Sequence, residues 1–386
     1  MTVIRKREWL TPKGVAKSAW LVDYRDSFGK RRSKQFTRKK DAEAWLVNAS
    51  WEVSQGLHTA DSQSITVTVA TGLWIAKAEA DNRERSTIKQ YRELARLHVV
   101  PLLGEQKLSR LSRPIVENYR DVLISTRSKA MTQKAVRALS SILSEAQRRG
   151  LVAQNVARGV KVERKGRDKA KIEIPSREEL KLLISQASAT EKPIVMTAIM
   201  TGLRSSELRG LRWQDVDFNK MTLSVNQRAD QWGQIGPPKS EAGYRSIPMA
   251  SGLASILKEW KLRSLPNSLD LVFPNANGKP LWHQNLLRRL FIPLQVKAGL
   301  IKPHLDALGR VKRDRHGAPL ATGKYGLHSL RHAAASGWIA QKIDLKRLQS
   351  WMGHSGVQIT LDTYGHLIDD KEQDAVIAEA AQAYLI

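Results

Sequence analysis

The chain has 386 residues, which is too long for one ordinary hydrophobic core and predicts two or three domains. Its 64 Lys and Arg against 37 Asp and Glu give a formal net charge of +27, which indicates a polyanionic partner, nucleic acid before membrane. The absence of cysteine excludes disulfides, cysteine-ligated zinc and thiol chemistry. With no apolar stretch of membrane-spanning length and no secretion signal, we expect a cytoplasmic protein with no membrane partner.

Residues 1–58 have the pattern of a small β-rich unit. Residues 19–24 alternate apolar and polar side chains as a half-buried strand does, and residues 31–36 follow a turn as the returning strand. A helix is predicted from Lys39 to about Gln55. Such a sheet, backed by a helix and basic on its open face, can lie against a DNA duplex, although charge alone equally allows a solvated strand pair. The basic candidates for DNA contact are Arg31, Arg32 and Lys34.

Residues 64–158 change to helical periodicity and predict an all-helical domain of modest size. Residues 101–104, Pro-Leu-Leu-Gly, are expected to break the second helix from the third. The predicted helices are Thr71 to Ala80, Ser86 to Val99, Arg113 to Ser125 and Thr132 to Arg149.

Residues 159–172 are predicted to be a basic interdomain linker, because the segment is rich in Lys and Arg and has almost no bulky apolar side chains. Arg164 and Lys165 are its candidates for contact with DNA phosphates. A solvated tether is the simpler interpretation of the same composition.

Residues 173–386 form the largest predicted domain. Ser176, with Glu179 three residues later, is a helix-start signal, and short strands are predicted at 221–226 and 244–248. Helices are predicted for most of the remainder. The expected fold is therefore multidomain and mainly α with small β-sheets (α+β): a three-stranded sheet with a helix, a helical domain, and a mostly helical domain with a small sheet.

Four short motifs in the last domain carry the residues that suggest chemistry. They are Thr201-Gly-Leu-Arg-Ser-Ser-Glu207, Pro238-Lys239 to Arg245, His328-Ser-Leu-Arg331-His332, and Met352-Gly-His354 with Tyr364 ten residues further on. Each motif taken alone has an ordinary structural explanation. His328 and His332, for example, are one helical turn apart, but without a third ligand they indicate a metal only weakly, so we expect none.

Jointly the motifs supply what transfer of a DNA strand requires. A tyrosine phenol has a pKa of about 10 and needs positioning and a base to act as a nucleophile. Two arginines can neutralise the charge of a pentacoordinate phosphorus transition state without a metal. A lysine or histidine can protonate the leaving 5′ oxygen.

The residues and their order resemble the catalytic set of the tyrosine recombinase (phage integrase) family. The resemblance implies that Arg204 and Arg331 bind the scissile phosphate between them. It implies that Glu207 holds the residues of the site in place without contacting the phosphate. It implies further that Lys239 is the general acid, that His328 assists proton transfer at the tyrosine, and that His354 bonds the phosphate. Tyr364 would form a 3′-phosphotyrosyl link. Neither a cofactor, ATP nor a divalent ion is expected.

The resemblance extends over nearly the whole chain. Residues 64–158 resemble the family's helical (SAM-like) core-binding domain, and residues 1–58 resemble the three-stranded arm-type DNA-binding domain of larger phage integrases. The expected partners are double-stranded DNA attachment sites, three further copies of the chain in a homo-tetramer on DNA, a directionality factor and a host DNA-bending protein. The resemblance implies a protein of the bacterial nucleoid that integrates, and also excises, a phage, prophage or genomic island.

Three other functions are open at the level of sequence: a DNA-binding regulator without catalysis, a type IB topoisomerase, and a recombinase that resolves chromosome dimers. A regulator has no need of every catalytic residue in order, and the arm-like N-terminal unit argues against the other two.

Two segments lie outside these motifs. The basic stretch 301–325, rich in Gly and Pro, is expected to be a surface loop. The apolar stripe within residues 372–385 predicts a helix. The helix can pack on its own domain, and the family resemblance implies that it docks onto a neighbouring subunit.

Overall fold

The computed structural model describes residues 3–25, 29–54, 61–163, 173–306, 309–313, 320–367, 379–380 and 382–384. The chain forms two compact units, Met1–Ala170 and Lys171–Ile386. Most of the predicted linker, with Arg164 and Lys165, lies outside the described residues. The same is true of most of the helix predicted within residues 372–385, although the described residues 379–380 and 382–384 are helical. The division of the first unit near residues 58–64 stays a prediction.

The first unit begins with the predicted antiparallel sheet, in which β2 lies between β1 and β3. The strands and the helix after them are β1 (Val3–Leu10), β2 (Ala16–Arg25), β3 (Arg31–Phe36) and α1 (Lys39–Ser54). Trp45 of α1 packs edge-on against Tyr24, with ring centroids 5.0 Å apart, and lies 5.6 Å from Phe36. The helix therefore covers one face of the sheet.

The register of β2 and β3 decides which basic residues face that helix. Val22 is opposite Lys34 and Tyr24 is opposite Arg32, so these side chains share the face that carries Tyr24. The Lys34 ammonium lies 4.8 Å from the centre of the Trp45 ring. Arg31 alternates to the other face. Of the three predicted DNA contacts, only Arg31 therefore lies on the face that α1 does not cover, since adjacent residues of a strand point to opposite sides. Their contact with DNA stays a prediction.

The rest of the described first unit is helical, as predicted. Its helices are α2 (Val67–Ala80), α3 (Arg85–Leu94), α4 (Val100–Leu103), α5 (Arg113–Thr126) and α6 (Lys129–Arg148). Their core consists of apolar side chains from every one of these helices, and Leu139 and Ile142 of α6 are fully buried in it.

The break predicted at residues 101–104 falls on the last of them, Gly104, so the second predicted helix continues past Val99 to Leu103. A π-helical turn over Ala95–Val99 joins α3 to α4, and the Val100 N–H donates to the Ala95 carbonyl, five residues back. Pro101 is the second residue of α4, which directly follows this π-helical turn. The helix ends at Gly104, where a Cβ would lie 2.5 Å from the Val100 carbonyl oxygen.

The second unit is mostly helical with small antiparallel sheets, so the predicted fold class is confirmed. Ser176 caps its first helix as predicted, with the Glu179 N–H donating to Ser176 Oγ at 3.2 Å. The helices are α7 (Arg177–Gln186), α8 (Lys192–Thr201), α9 (Ser205–Gly210), α10 (Ser251–Arg263), α11 (His283–Asn285), α12 (Ile292–Lys297), α13 (His328–Ala340), α14 (Leu345–Met352) and α15 (Val357–Tyr364).

Two of the strands are those predicted, β5 (Thr222–Val225) and β8 (Arg245–Pro248), which pair with each other. The others are β4 (Val216–Asp217), which pairs with β5, the hairpin β6 (Arg228–Ala229) and β7 (Ile235–Gly236), and the pair β9 (Ile301–Pro303) and β10 (Ala321–Gly323). The stretch 301–325 was expected to be a loop, whereas its ends pair as β9 and β10. Gly309, with a φ of +77°, supplies a turn between them.

Helix α8 is the centre of this unit. Its sequence is apolar on all sides, and residues 193–199 are buried. Helices α10 and α13 both pack against it. Because α13 carries the third motif and α9 follows α8 directly, this packing brings the first and third motifs together. No helix among the described residues is long and apolar enough to cross a membrane.

Candidate active site

The first motif lies where α8 ends. Gly202 adopts the left-handed conformation, with a φ of +59°, and a Cβ there would lie 3.2 Å from the Ala334 side chain. The chain then extends through Arg204 before α9 begins at Ser205. The Arg204 N–H donates to Glu207 Oε2 at 2.9 Å, and Arg204 Nη1 donates to Glu207 Oε1 at 2.8 Å. The Gly-Leu-Arg sequence thus turns Arg204 out of the helix while Glu207 holds it.

Glu207 is buried between two arginines. Its second partner is Arg245, the first residue of β8, whose Nη2 donates to Glu207 Oε2 at 2.8 Å. Both side chains of this pair are less than 5% exposed. Burial alone would raise the pKa of Glu207, but the hydrogen bonds and charge of Arg245, together with the charge of Arg204, outweigh it and lower the pKa to about 2. Glu207 is therefore ionised at any physiological pH.

Three arginines converge on the C-terminus of α14. The carbonyls of residues 351–353 are the last of this helix and have no partner within it. Trp351 O accepts from Arg245 Nε at 2.7 Å, and Gly353 O accepts from Arg204 Nη2 at 2.8 Å. Met352 O accepts from Arg331 Nη2. Positive charge at this end of a helix is also favourable for the helix dipole.

Gly353 is required at this position for two reasons. Its φ is +61°, which favours glycine, and a Cβ would lie 2.9 Å from both the Ala242 carbonyl oxygen and Arg245 Nη1. The glycine of the fourth motif therefore lets the helix end approach the arginines.

Arg331 lies on α13 and is 2% exposed. Its Nη1 donates to the Gly202 carbonyl at 2.7 Å, so this one side chain joins the end of α8 to the end of α14. Burial, and then the charge of Arg204, lower the pKa of Arg331 to about 9. At neutral pH both arginines are charged, and an anion between them would relieve their repulsion.

The fourth motif places His354 and Tyr364 beside these arginines. Their rings are stacked with centroids 6.4 Å apart, and His354 Nδ1 lies 2.9 Å from the hydroxyl of the fully buried Thr360. Tyr364 is 1% exposed. Burial raises the pKa of Tyr364 to about 12, and the charges of Arg331 and Arg204 act in the opposite direction.

The histidines of the third motif are both near the tyrosine, but in different ways. The Tyr364 hydroxyl lies 2.8 Å from Nδ1 of His332. His328 is more exposed and its ring meets that of His332 edge to face, with centroids 4.7 Å apart. The resemblance assigned proton transfer at the tyrosine to His328, whereas His332 makes the contact.

Lys239 lies on the exposed loop between β7 and β8. Pro238 is buried against Gly243, where a Cβ would lie 2.5 Å from the Pro238 Cβ. This contact folds the loop back onto the start of β8, six residues after Lys239, where Arg245 is fixed by Glu207. The predicted residues Arg204, Glu207 and Arg331 thus share one hydrogen-bonded network with the end of α14, and the loop of Lys239 is tied to it through β8. His354 and Tyr364 lie close enough for the charges of Arg331 and Arg204 to act on both.

The comparison with known protein families agrees with this geometry. The model of the phage integrase family matches residues 176–371, just over half of the chain. The chain belongs to the phage integrase family. The prediction of a tyrosine recombinase is thereby confirmed, and the protein is a site-specific recombinase by family.

Relatives of this integrase-family chain cover most of its length. It is 27% identical over 376 residues to a tyrosine recombinase XerC-like protein of Caldanaerobacter subterraneus subsp. tengcongensis, covering 91% of this chain and 92% of that one. The Tn1549 transposon integrase in complex with a circular intermediate DNA has a similar fold, with a TM-score of 0.65 at 18% identity over 83% of this chain and 100% of that one. A lambda integrase tetramer bound to a Holliday junction gives a TM-score of 0.58 at 16% identity, over 90% and 95% of the two chains.

Sequence reasoning missed two residues of the site. Arg245 alternates with Ile247 on the buried side of β8, and a charged residue in the apolar phase of a strand pattern is a signal of a buried ion pair. His332 follows Arg331 directly, and the sequence contained no sign that it, not His328, contacts the tyrosine.

We predict that Glu207→Ala destabilises the second unit by about 3–5 kcal/mol, because Arg245 would stay buried without its partner. The matched control is Glu259→Ala on α10, since Glu259 forms an exposed pair with Arg263 at 3.9 Å and should contribute less than about 1 kcal/mol. Urea unfolding followed by tryptophan fluorescence measures both. Equal, small effects of the two substitutions would contradict the structural importance of Glu207.

Proposed function

We propose that this recombinase cleaves and rejoins DNA strands through a 3′-phosphotyrosyl intermediate on Tyr364, and that it integrates and excises a phage, prophage or genomic island. The observation that carries the proposal is the convergence of Arg204, Arg331 and Tyr364 at the ends of α8 and α14, with both arginine charges acting on the tyrosine phenol. The reaction would begin with attack of the Tyr364 oxygen on the scissile phosphorus.

In this proposal the two arginines do the work of charge stabilisation. The phosphorane-like transition state carries extra negative charge on its non-bridging oxygens, and a guanidinium can donate two parallel hydrogen bonds to such a group. Arg204 and Arg331 are held by carbonyls and by Glu207, so they need little reorganisation when the phosphate arrives. Because arginines supply the positive charge, the reaction would need neither a metal nor ATP.

Lys239 would act on the leaving 5′ oxygen of the phosphodiester, and His354 would act on a non-bridging oxygen. Lys239, on an exposed loop tied to the network through β8, would protonate the 5′ oxygen as it leaves. His354, oriented by Thr360, would donate to a non-bridging oxygen. The phosphotyrosyl link would then conserve the bond energy until a second 5′ hydroxyl attacks it.

The partner would be double-stranded DNA carrying attachment sites. The net charge of +27 supports this partner, as does the resemblance in fold to integrases that were solved on DNA, one of them as a tetramer. We propose that this chain also acts as a tetramer on DNA, with a directionality factor and a DNA-bending protein of the host setting the direction of the reaction.

We place the arm-type DNA contact on the uncovered face of the first sheet. Arg5, Arg7 and Arg31 share that face, and the side chains of Arg5 and Arg31 are 58% and 73% exposed. Both also lie within 4 Å of Asp23, at 3.2 and 3.6 Å. The uncovered face thus presents exposed arginines, which are suited to the phosphates of a DNA groove.

The covalent link is the first thing to test. We predict that the purified protein, in EDTA, forms a covalent adduct with a nicked duplex that carries the attachment core found at the ends of its own mobile element. Tyr364→Phe removes the nucleophilic oxygen, so that adduct should be lost. Denaturing gels measure the adduct, and Tyr244→Phe, which alters an exposed tyrosine, is the matched control.

Two results would contradict the proposal. Tight, salt-sensitive binding without an adduct would favour a DNA-binding regulator. An adduct that leads to relaxation of supercoiled DNA carrying no attachment site would favour a topoisomerase.

The sheet face gives a second prediction. Arg7→Ala combined with Arg31→Ala should weaken binding to arm-type DNA and lower the slope of log affinity against log salt by about 2, about one for each lost phosphate contact. Arg32→Ala combined with Lys34→Ala removes the same charge from the face that α1 covers and should leave the slope unchanged. An equal loss of slope in both double variants would show that DNA does not bind preferentially to the uncovered face of the sheet.

A further inference from the structure

The buried contact between Tyr364 and His332 is not explained by the roles proposed so far. His332 Nδ1 lies 2.8 Å from the tyrosine oxygen, which is hydrogen-bond distance. Among the hydrogen bonds of the described residues, this is the one recorded at that oxygen. The atom that must lose a proton in order to attack phosphorus therefore touches a group that can accept one.

The protonation states are compatible with such a transfer. Burial, followed by the charges of His328 and Arg331, lowers the pKa of His332 to about 4, so the imidazole is neutral at physiological pH. Tyr364, with its pKa raised to about 12, keeps its proton. A neutral imidazole has one nitrogen that carries a proton and one that accepts. With its proton on Nε2, His332 presents the accepting nitrogen to the tyrosine.

We propose that His332 Nδ1 takes the proton of Tyr364 during cleavage and returns it during rejoining, an inference that rests on the proposed function. In cleavage the tyrosine O–H bond breaks, its oxygen bonds to phosphorus, and the proton passes to Nδ1. The bond from phosphorus to the 5′ oxygen breaks, and that oxygen takes a proton from Lys239. Rejoining is the reverse: the attacking 5′ hydroxyl gives its proton to Lys239, and His332 protonates the leaving tyrosine oxygen.

The surrounding charges explain why the transfer would wait for DNA. In the free protein an imidazolium at His332 is disfavoured by its burial and by Arg331. A phosphate bound between Arg204 and Arg331 offsets their charge, and the transition state adds further negative charge beside the histidine. The base would therefore become effective only when the scissile phosphate is in place, and water would not be activated in its absence.

The sharpest test separates proton transfer at the tyrosine from every other step. His332→Asn keeps a hydrogen-bond acceptor near the position of Nδ1 but cannot take a proton. Single-turnover cleavage of the nicked attachment duplex should slow by about 100-fold or more, within the range of general acid–base catalysis. Added imidazole should partly restore cleavage by His332→Ala, which leaves space for it.

A second substrate bypasses the tyrosine. In a Tyr364→Phe background, a duplex ending in a 3′-p-nitrophenyl phosphate mimics the covalent intermediate, and its leaving group departs without needing a proton. Adding His332→Asn should leave the rate of joining to a 5′ hydroxyl within about twofold. Adding Arg204→Ala instead removes a proposed phosphate contact and should lower the rate of joining strongly. This variant therefore controls for the sensitivity of the assay.

Each outcome decides the matter. Slow cleavage with unaffected joining supports proton transfer by His332. Equal losses in both assays would overturn it in favour of a general effect on the site. Cleavage by His332→Asn at or above the wild-type rate would overturn it as well, and a faster rate would show that the contact restrains the tyrosine.

Thermal unfolding and DNA binding of each variant, together with His332→Gln as a second substitution, separate these results from misfolding. A wild-type protein without an adduct would overturn the proposed function and this inference together. A wild-type adduct with an unaffected His332 variant would overturn the inference alone.

Discussion

The last carbonyl groups of an α-helix have no partner within the helix, and in this protein three of them, at residues 351–353, accept hydrogen bonds from Arg245, Arg331 and Arg204. These bonds are charge-assisted and largely buried, which makes them stronger than neutral ones. They connect β8, α13 and the start of α9 to one point. The ionised carboxylate of Glu207 is hydrogen-bonded to two of the three arginines. Its negative charge offsets the repulsion between their positive charges.

The chemistry follows from that constraint. Because the end of α14 is fixed, His354, the next residue after Gly353, lies beside the arginines, and α15 returns Tyr364 to the same place, where the two rings stack. The arginines use part of their donor capacity on the protein and remain charged for an anion. Arg204 and Arg331 therefore serve the fold and, in the function we propose, the phosphate.

The sequence predicted the residues of the site better than their contacts. The spacing of Arg204, Glu207, Arg331 and Tyr364 was enough to identify the family, because the chemistry demands those residue types. Which histidine meets the tyrosine was not predictable, since His328 and His332 are one turn apart and only the direction of α15 decides between them.

For the fold, too, the sequence predicted the elements better than the contacts that end or cover them. Helices and strands followed from apolar periodicity, whereas the helix end near Pro101 depended on a π-helical turn at Ala95–Val99 that propensity does not reveal. On the first sheet, the charge of Arg31, Arg32 and Lys34 was evident in the sequence. Which of them α1 covers depended on the strand register and on the packing of Trp45.

The role of the α14 end is tested most directly by substituting two glycines between α14 and α15. Gly353→Ala would place a methyl group 2.9 Å from Arg245 Nη1, while a Cβ at Gly356 meets nothing within 4 Å. If the helix end positions the catalytic groups, Gly353→Ala should slow single-turnover cleavage about 100-fold, the loss expected from a displacement of roughly 1 Å, and Gly356→Ala should cleave nearly as the wild type does. Wild-type cleavage by Gly353→Ala would contradict the claim that the arginine-bound end of α14 sets the geometry of the site.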